Sequence, residues 1–205
     1  MGTNLLITVS GPPGSGTTTV STALAEALDV QCISGGEIFR DIAEERGMTL
    51  TQLGAEADES PEIDRLIDGR IQRIAEKWGA SNKGLVVNSR LAGWVAGNRA
   101  DLRIWLDAPP EIRVERLRDR EETESELRIQ EVTEAGRFQS YYDVDITDRS
   151  FYDLHVNTAR WSPDAVLQMI LAGVEGYDPE ADEGAYETDF DVDFDVDGFD
   201  THLDD

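Results

Sequence analysis

Residues Leu5-Leu6-Ile7-Thr8-Val9-Ser10-Gly11-Pro12-Pro13-Gly14-Ser15-Gly16-Thr17-Thr18-Thr19 read as an apolar strand that runs into a glycine-rich loop and opens a helix over Thr18–Leu28. No other stretch limits the possible folds as much. Gly14 and Gly16 lack a Cβ and tolerate positive φ, so successive N–H groups can converge on one anion. The helix adds its unpaired first-turn donors and the positive end of its dipole. Together they form a phosphate cradle one position away from the G-x-x-x-x-G-K-[ST] pattern. Thr17 stands where that pattern has lysine, and Thr18 where it has the hydroxyl that ligates Mg²⁺. The competing reading is a tight strand-to-helix turn that binds nothing.

Beyond this junction, apolar strands alternate with helical patterns. Val30–Ser34, Gly84–Val87, Leu102–Leu106 and Tyr152–Val156 read as further strands. Gly36–Arg46, Leu50–Ser60, Pro61–Trp78, Pro110–Arg120 and Pro163–Val174 read as helices, and Glu121–Arg137 is polar with little apolar periodicity. Strands spaced by helices imply an α/β fold, a five-stranded parallel sheet with helices on both faces. With 205 residues the chain suits one domain over 1–175. Residue 4 already begins the first strand and no apolar run nears the ~20 residues of a spanning helix, so a cytoplasmic location away from membranes is expected. Cys32 is the one cysteine, which excludes disulfides within the chain and suggests core packing.

Net charge is −25. Residues 176–205 hold thirteen acidic residues and no Lys or Arg, leaving −12 on residues 1–175. Such a surface repels nucleic acid and suits a cytoplasm of molar salt, where screening shortens to ~3 Å. The tail alternates Asp with Phe and Val from Asp189 to Asp197; its five crowded carboxylates predict a disordered, solvated segment.

Ligands of parallel α/β sheets bind beyond the carboxyl ends of strands, where Ser10, Ser34 and Asn88 fall. Arginines gather there: Arg40 after the second strand, Arg90 after the third, and Arg113, Arg116 and Arg120 at i, i+3, i+7 on one helix face. In so acidic a chain, that gathering implies an anion with more than one phosphate. His155 and His202 are read as structural or idle.

The chain resembles the nucleoside monophosphate kinases, and most of all the archaeal type of cytidylate kinase. The resemblance is carried by Gly11–Thr19, Ser34-Gly35-Gly36-Glu37-Ile38-Phe39-Arg40, Glu44–Met48, Pro61–Asp64, Arg90-Leu91-Ala92-Gly93-Trp94, Asp145-Ile146, Tyr152–Leu154 and Asn157-Thr158. It implies a P-loop kinase fold over 1–175, with a nucleotide-monophosphate arm near 38–80 and a small lid near 121–137. It further implies transfer of the ATP γ-phosphoryl group to CMP or dCMP by a monomer. Gly11, Pro12, Pro13, Gly14, Ser15, Gly16, Thr17, Thr18 and Thr19 would hold the ATP phosphates. Ser34, Gly35, Arg40, Asp64 and Arg90 would bind CMP. Arg116, Arg120 and Arg137 would attend the transferring group, with Glu134 orienting Arg137. Mg²⁺ would sit by Thr18 and Asn88, and adenine near Asn157–Trp161. Asp64, Asp68 and Arg70 are candidates for the base.

The chain departs from the family pattern at three places. Asn88 stands for an acidic residue, Gln130 for a lid arginine, and Gly136 for another; Arg118 or Arg128 are the neighbouring cations. These departures keep a rival open, a degenerate nucleotide binder with little turnover. A kinase for AMP, UMP or a non-nucleotide alcohol is a second.

Overall fold

The computed structural model describes residues 3–81, 83–117 and 124–178. Five parallel strands form one sheet in the order β2-β3-β1-β4-β5. They are β1 (Leu6–Ser10), β2 (Gln31–Ser34), β3 (Leu85–Asn88), β4 (Leu102–Asp107) and β5 (Leu154–Asn157). The helices are α1 (Thr17–Leu28), α2 (Gly35–Glu45), α3 (Leu50–Glu59), α4 (Glu62–Ser81), α5 (Ala92–Ala96), α6 (Pro110–Arg116), α7 (Glu124–Tyr142) and α8 (Pro163–Gly176). This is the expected α/β fold. The tail beyond Asp178 and Arg120 lie outside the described residues, so the expected disordered tail and that arginine go untouched.

Every residue of β1 is buried, as a central parallel strand covered on both faces requires. Successive side chains feed opposite layers. Ile7 and Val9 pack with Val20, Leu24 and Leu28 of α1 and Val166 and Ile170 of α8. Leu6 joins the other layer, with Ile42, Leu53, Ile63 and Ile71 of α2, α3 and α4 and with Ala92 and Val95 of α5. Fully buried Ile or Leu side chains contribute about 1.5–3 kcal/mol apiece. Cys32 is only half-buried; burial still pushes its thiol upward, away from reactivity.

The helix ends are specified locally. α3 begins with a reciprocal box, in which the Gln52 amide N–H donates to Thr49 Oγ1 and the Thr49 N–H donates to Gln52 Oε1. α8 begins with Ser162 accepting from the Ala165 amide ahead of Pro163. α7 was not anticipated by periodicity. Of its described residues only Leu127 and Phe138 are buried. It rests instead on helix-favouring Glu, Arg, Gln and Ala and on i, i+4 pairs such as Glu124–Arg128 (2.7 Å) and Gln130–Glu134 (3.0 Å). α5 was also missed, being short and set in a run that reads as loop.

The register levels the strand ends. Ser34 and Val9 both pair with Asn88, Ser10 with Trp105 and Asp107 with Asn157. The chain leaves β1 for β2 on one side and returns through β4 on the other, so β1 ends at the point where strand order reverses.

Candidate functional site

At that point the loop 11–16 turns back over β1. Gly14 has φ +78°, and a Cβ there would lie 2.7 Å from the Arg113 carbonyl; Gly16, the residue before α1, has φ +96°. A side chain at either is strained or blocked. The Ser15 amide donates to the Pro12 carbonyl (3.1 Å), while Thr158 Oγ1 donates to the Ser15 carbonyl (2.8 Å). Three of the loop carbonyls are each held by an arginine. Arg90 Nη1 donates to Gly11 O (2.8 Å), Arg113 Nη1 to Pro13 O (3.1 Å) and Arg116 Nη1 to Gly14 O (3.2 Å). With these carbonyls already engaged, the first-turn amides of α1 are left to an anion.

Two cavities meet at this loop. A cleft of about 840 Å³ is bordered by Gly11–Pro13, Thr17, Thr18, Ser34, Gly35, Arg40, Asp64, Asp68, Asn88, Arg90, Glu134 and Arg137. A second, of about 470 Å³, lies behind it among Pro13–Val20, Arg116, Thr158, Trp161 and Pro163. Thr17 and Thr18 border both. A two-part ligand space with one phosphate cradle between its halves suits transfer of a phosphoryl group from one half to the other.

The structure brings most of the candidate residues together, though in pairings that sequence spacing could not foretell. Glu134 does not reach Arg137. It takes Arg90 instead, accepting from Nε (2.7 Å) and lying 2.6 Å from Nη2, and its other oxygen accepts from Gln130 Nε2 (3.0 Å). Arg137 is paired with Asp58 and, through Nε at 3.0 Å, with Asp64. Arg40 is exposed at the cleft edge, beside Ser34 and Gly35. Arg116 is anchored to Thr158 by its hydroxyl (2.8 Å) and carbonyl (3.0 Å), at the second cavity. Arg113, just 4 % exposed, is spent on Ala108 O, Pro13 O and Glu131, so it braces α6 against α7. Arg70 pairs with Glu45 (2.7 Å), away from the cleft lining. Arg128 pairs with Glu124 in the open, away from the cleft lining; Arg118 lies outside the described residues. Nothing lies within 4 Å of where a Gly136 Cβ would stand.

The far wall of the cleft is acidic. Burial pushes Asp64 up to about 6, outweighing the attraction of Arg137. Burial, reinforced by Asp64, pushes Asp68 up to about 8, so it keeps its proton at neutral pH. Tyr142, close enough to Asp68 to feel its charge, is itself driven well above its usual range, first by burial and then by that carboxyl. Asp58, Tyr142 and the Glu131–Arg113 pair escaped the sequence reading, because each is brought in by long-range packing that leaves no local pattern.

Where the sequence leads us to expect Mg²⁺, the Thr18 hydroxyl and the Asn88 side chain meet, with Asn88 Nδ2 3.4 Å from Thr18 Oγ1. Among the described residues no three His, Cys, Asp or Glu gather as a metal cluster. Two neutral oxygen-bearing groups beside a phosphate cradle suit Mg²⁺, which keeps several waters and leans on phosphate oxygens.

Similar proteins are informative at this point. A family model described as "AAA domain" matches residues 7–139. The cytidylate kinase of Natronomonas pharaonis is 49 % identical over 185 residues, covering 88 % of this chain and 94 % of that protein. The cytidylate kinase of Haloarcula marismortui is 48 % identical over the same shares. Among solved structures, shikimate kinase from Bacteroides thetaiotaomicron superposes with a TM-score of 0.59 at 18 % identity, covering 83 % of this chain and 98 % of that one.

Proposed function

We propose that this chain, which belongs to the cytidylate kinase family, transfers the γ-phosphoryl group of ATP to CMP or dCMP, giving ADP and CDP or dCDP. The observation that carries this reading is the pair of cavities sharing one phosphate cradle, with arginines on both sides. ATP would lie with its base in the smaller cavity against Trp161 and Arg116, and its phosphates on Gly11–Thr19. The monophosphate of CMP would enter the larger cleft between Arg40 and Arg90, since planar forked donors match phosphate oxygens two at a time. Helices α2–α4 would form the acceptor arm and α7 the lid.

The acceptor is a phosphate oxygen already ionised at neutral pH, so the site needs no general base. Its residues position the two phosphates and balance their charge. Thr18 and Asn88 would hold Mg²⁺, which supplies further neutralisation of the phosphate oxygens. The protonated Asp68 can donate to cytosine N3 while its carbonyl accepts from the exocyclic amine, and Asp64 offers a second acceptor beside it.

One group of residues favours a slower binder. The Asn88 amide carries no charge for the metal, and Gln130 faces the cleft as an uncharged amide. The test is ADP formation from ATP plus CMP in molar KCl. Turnover with CMP well above that with UMP or AMP is expected; ATP binding without CDP formation would establish the degenerate binder instead.

A further inference from the structure

The phosphate loop has no lysine, yet an ammonium at position 17 ordinarily reaches the β- and γ-phosphates. Thr17 cannot replace it. Its methyl group folds back onto the loop, 3.0 Å from where a Cβ of Gly11 would stand. The hydroxyl carries no charge, and the side chain is too short to cross to the γ-phosphate.

A cation does reach the mouth of the loop. Arg90, from the turn after β3, lays Nη1 on the Gly11 carbonyl at 2.8 Å, inside the cleft that Thr17 and Thr18 border. Its Nε–Nη2 edge is presented to the Glu134 carboxylate at 2.7 and 2.6 Å. A carboxylate held this way occupies the fork that takes two phosphoryl oxygens. The side chain is 23 % exposed, so its charge is poorly screened. Among the described residues, the other cleft arginines, Arg40 and Arg137, donate to no loop carbonyl. Arg113 and Arg116 hold the loop from the opposite side, the first neutralised by Glu131 and the second turned onto Thr158.

We infer that Arg90 serves as the missing cation of the phosphate loop: it binds the terminal phosphates of the donor triphosphate as well as the acceptor. This rests on the kinase reading and adds a second allegiance to a residue assigned there to CMP alone. Glu134 is then a placeholder. It holds the Nε–Nη2 edge until a triphosphate displaces it, while the Gly11 bond keeps the guanidinium over the loop.

The two allegiances separate when CMP is left out. MgATP is titrated calorimetrically in molar KCl into the full chain, with no acceptor present. Arg90→Ala should weaken ATP binding by about tenfold or more, as expected for loss of a charge-assisted phosphate contact. Adding Thr17→Lys to Arg90→Ala should restore most of the ATP affinity while leaving the raised KM for CMP uncorrected. Thr17→Lys should gain more ATP affinity on Arg90→Ala than on Arg116→Ala, because the terminal phosphates lack a cation in the first and keep Arg90 in the second. Should Arg90→Ala fail to fold, Arg90→Gln, which keeps a donor for Gly11 O, carries the same comparison. Wild-type ATP affinity in the Arg90 variant, with only the CMP constant raised, overturns the inference. So does a Thr17→Lys double variant that binds ATP no better than Arg90→Ala. If no form of the protein makes CDP, the acceptor assignment fails, yet the ATP titration still decides the role of Arg90.

Discussion

In the proposed reading, carboxylates occupy arginines that phosphates would use. Arg90 is held by Glu134, and Arg137 by Asp58 and Asp64. A phosphate entering the cleft has to displace those partners, and the cheapest to remove is Asp58, whose side chain is 61 % exposed. Asp58→Asn should therefore free Arg137 for the transferring group and raise kcat by about two- to fivefold with little change in the KM for CMP, in keeping with the small worth of an exposed ion pair. Steady-state kinetics in molar KCl checks this, and an unchanged or lowered kcat contradicts it. A second expectation concerns Asp68. The unfolded chain releases this proton near the ordinary 3.8, but burial keeps it on in the folded protein until about 8. Between those values the folded state binds more protons, so this group's contribution to stability is complete below pH 4 and is lost as pH rises toward 8. Asp68→Asn, which mimics the neutral acid, should gain on wild type across that window, by at most on the order of 1 kcal/mol per pH unit. Denaturant unfolding of both proteins at pH 5 and pH 8 measures it; a constant difference refutes the assignment.

Among the elements, α7 shows what a sequence can and cannot disclose. The strands and α1, α4 and α8 were legible because burial on a face leaves a period in the chain, and the phosphate loop was legible because its glycines and threonines are contiguous. α7 carries little such period. It is held by propensity, i, i+4 pairs and two cross-element arginine contacts, Arg113–Glu131 and Arg90–Glu134, whose partners lie 18 and 44 residues apart. The family resemblance implied that Glu134 would orient Arg137, three positions on. The pairing went instead to the arginine that packing placed nearer. The same helix carries an avoidable weakness at Gly136, exposed in its interior with nothing within 4 Å of a notional Cβ. Gly136→Ala should raise stability by about 0.5–1 kcal/mol, since alanine loses less backbone freedom on entering a helix. Thermal unfolding reads this directly, and a lowered midpoint would mean that this site needs the glycine.

At the scale of the whole molecule, charge sets the working conditions. The net −25 includes −12 on residues 1–175, so self-repulsion burdens the folded domain and not only its tail. The similar cytidylate kinases of Natronomonas pharaonis and Haloarcula marismortui come from salt-loving archaea. Raising KCl from about 0.1 M to about 1 M shortens the Debye length from roughly 10 Å to roughly 3 Å. Repulsion across the surface then fades, while the half-buried Arg90–Glu134 pair is screened far less. The unfolding midpoint should climb steeply over that interval. Two salt effects can be told apart by the shape of the curve. Screening of like charges is nearly exhausted by about 1 M, whereas strengthened apolar burial keeps growing with salt concentration. A chain whose repulsion comes from its own acidic surface should gain most of its stability below about 1 M KCl. Replacing exposed acids outside the ion pairs of the described residues, such as Glu26, Glu44 and Glu59, with Gln should flatten that early rise and leave the high-salt limb in place. A midpoint independent of KCl, or an early rise untouched by those replacements, would show that surface repulsion does not govern the stability of this fold.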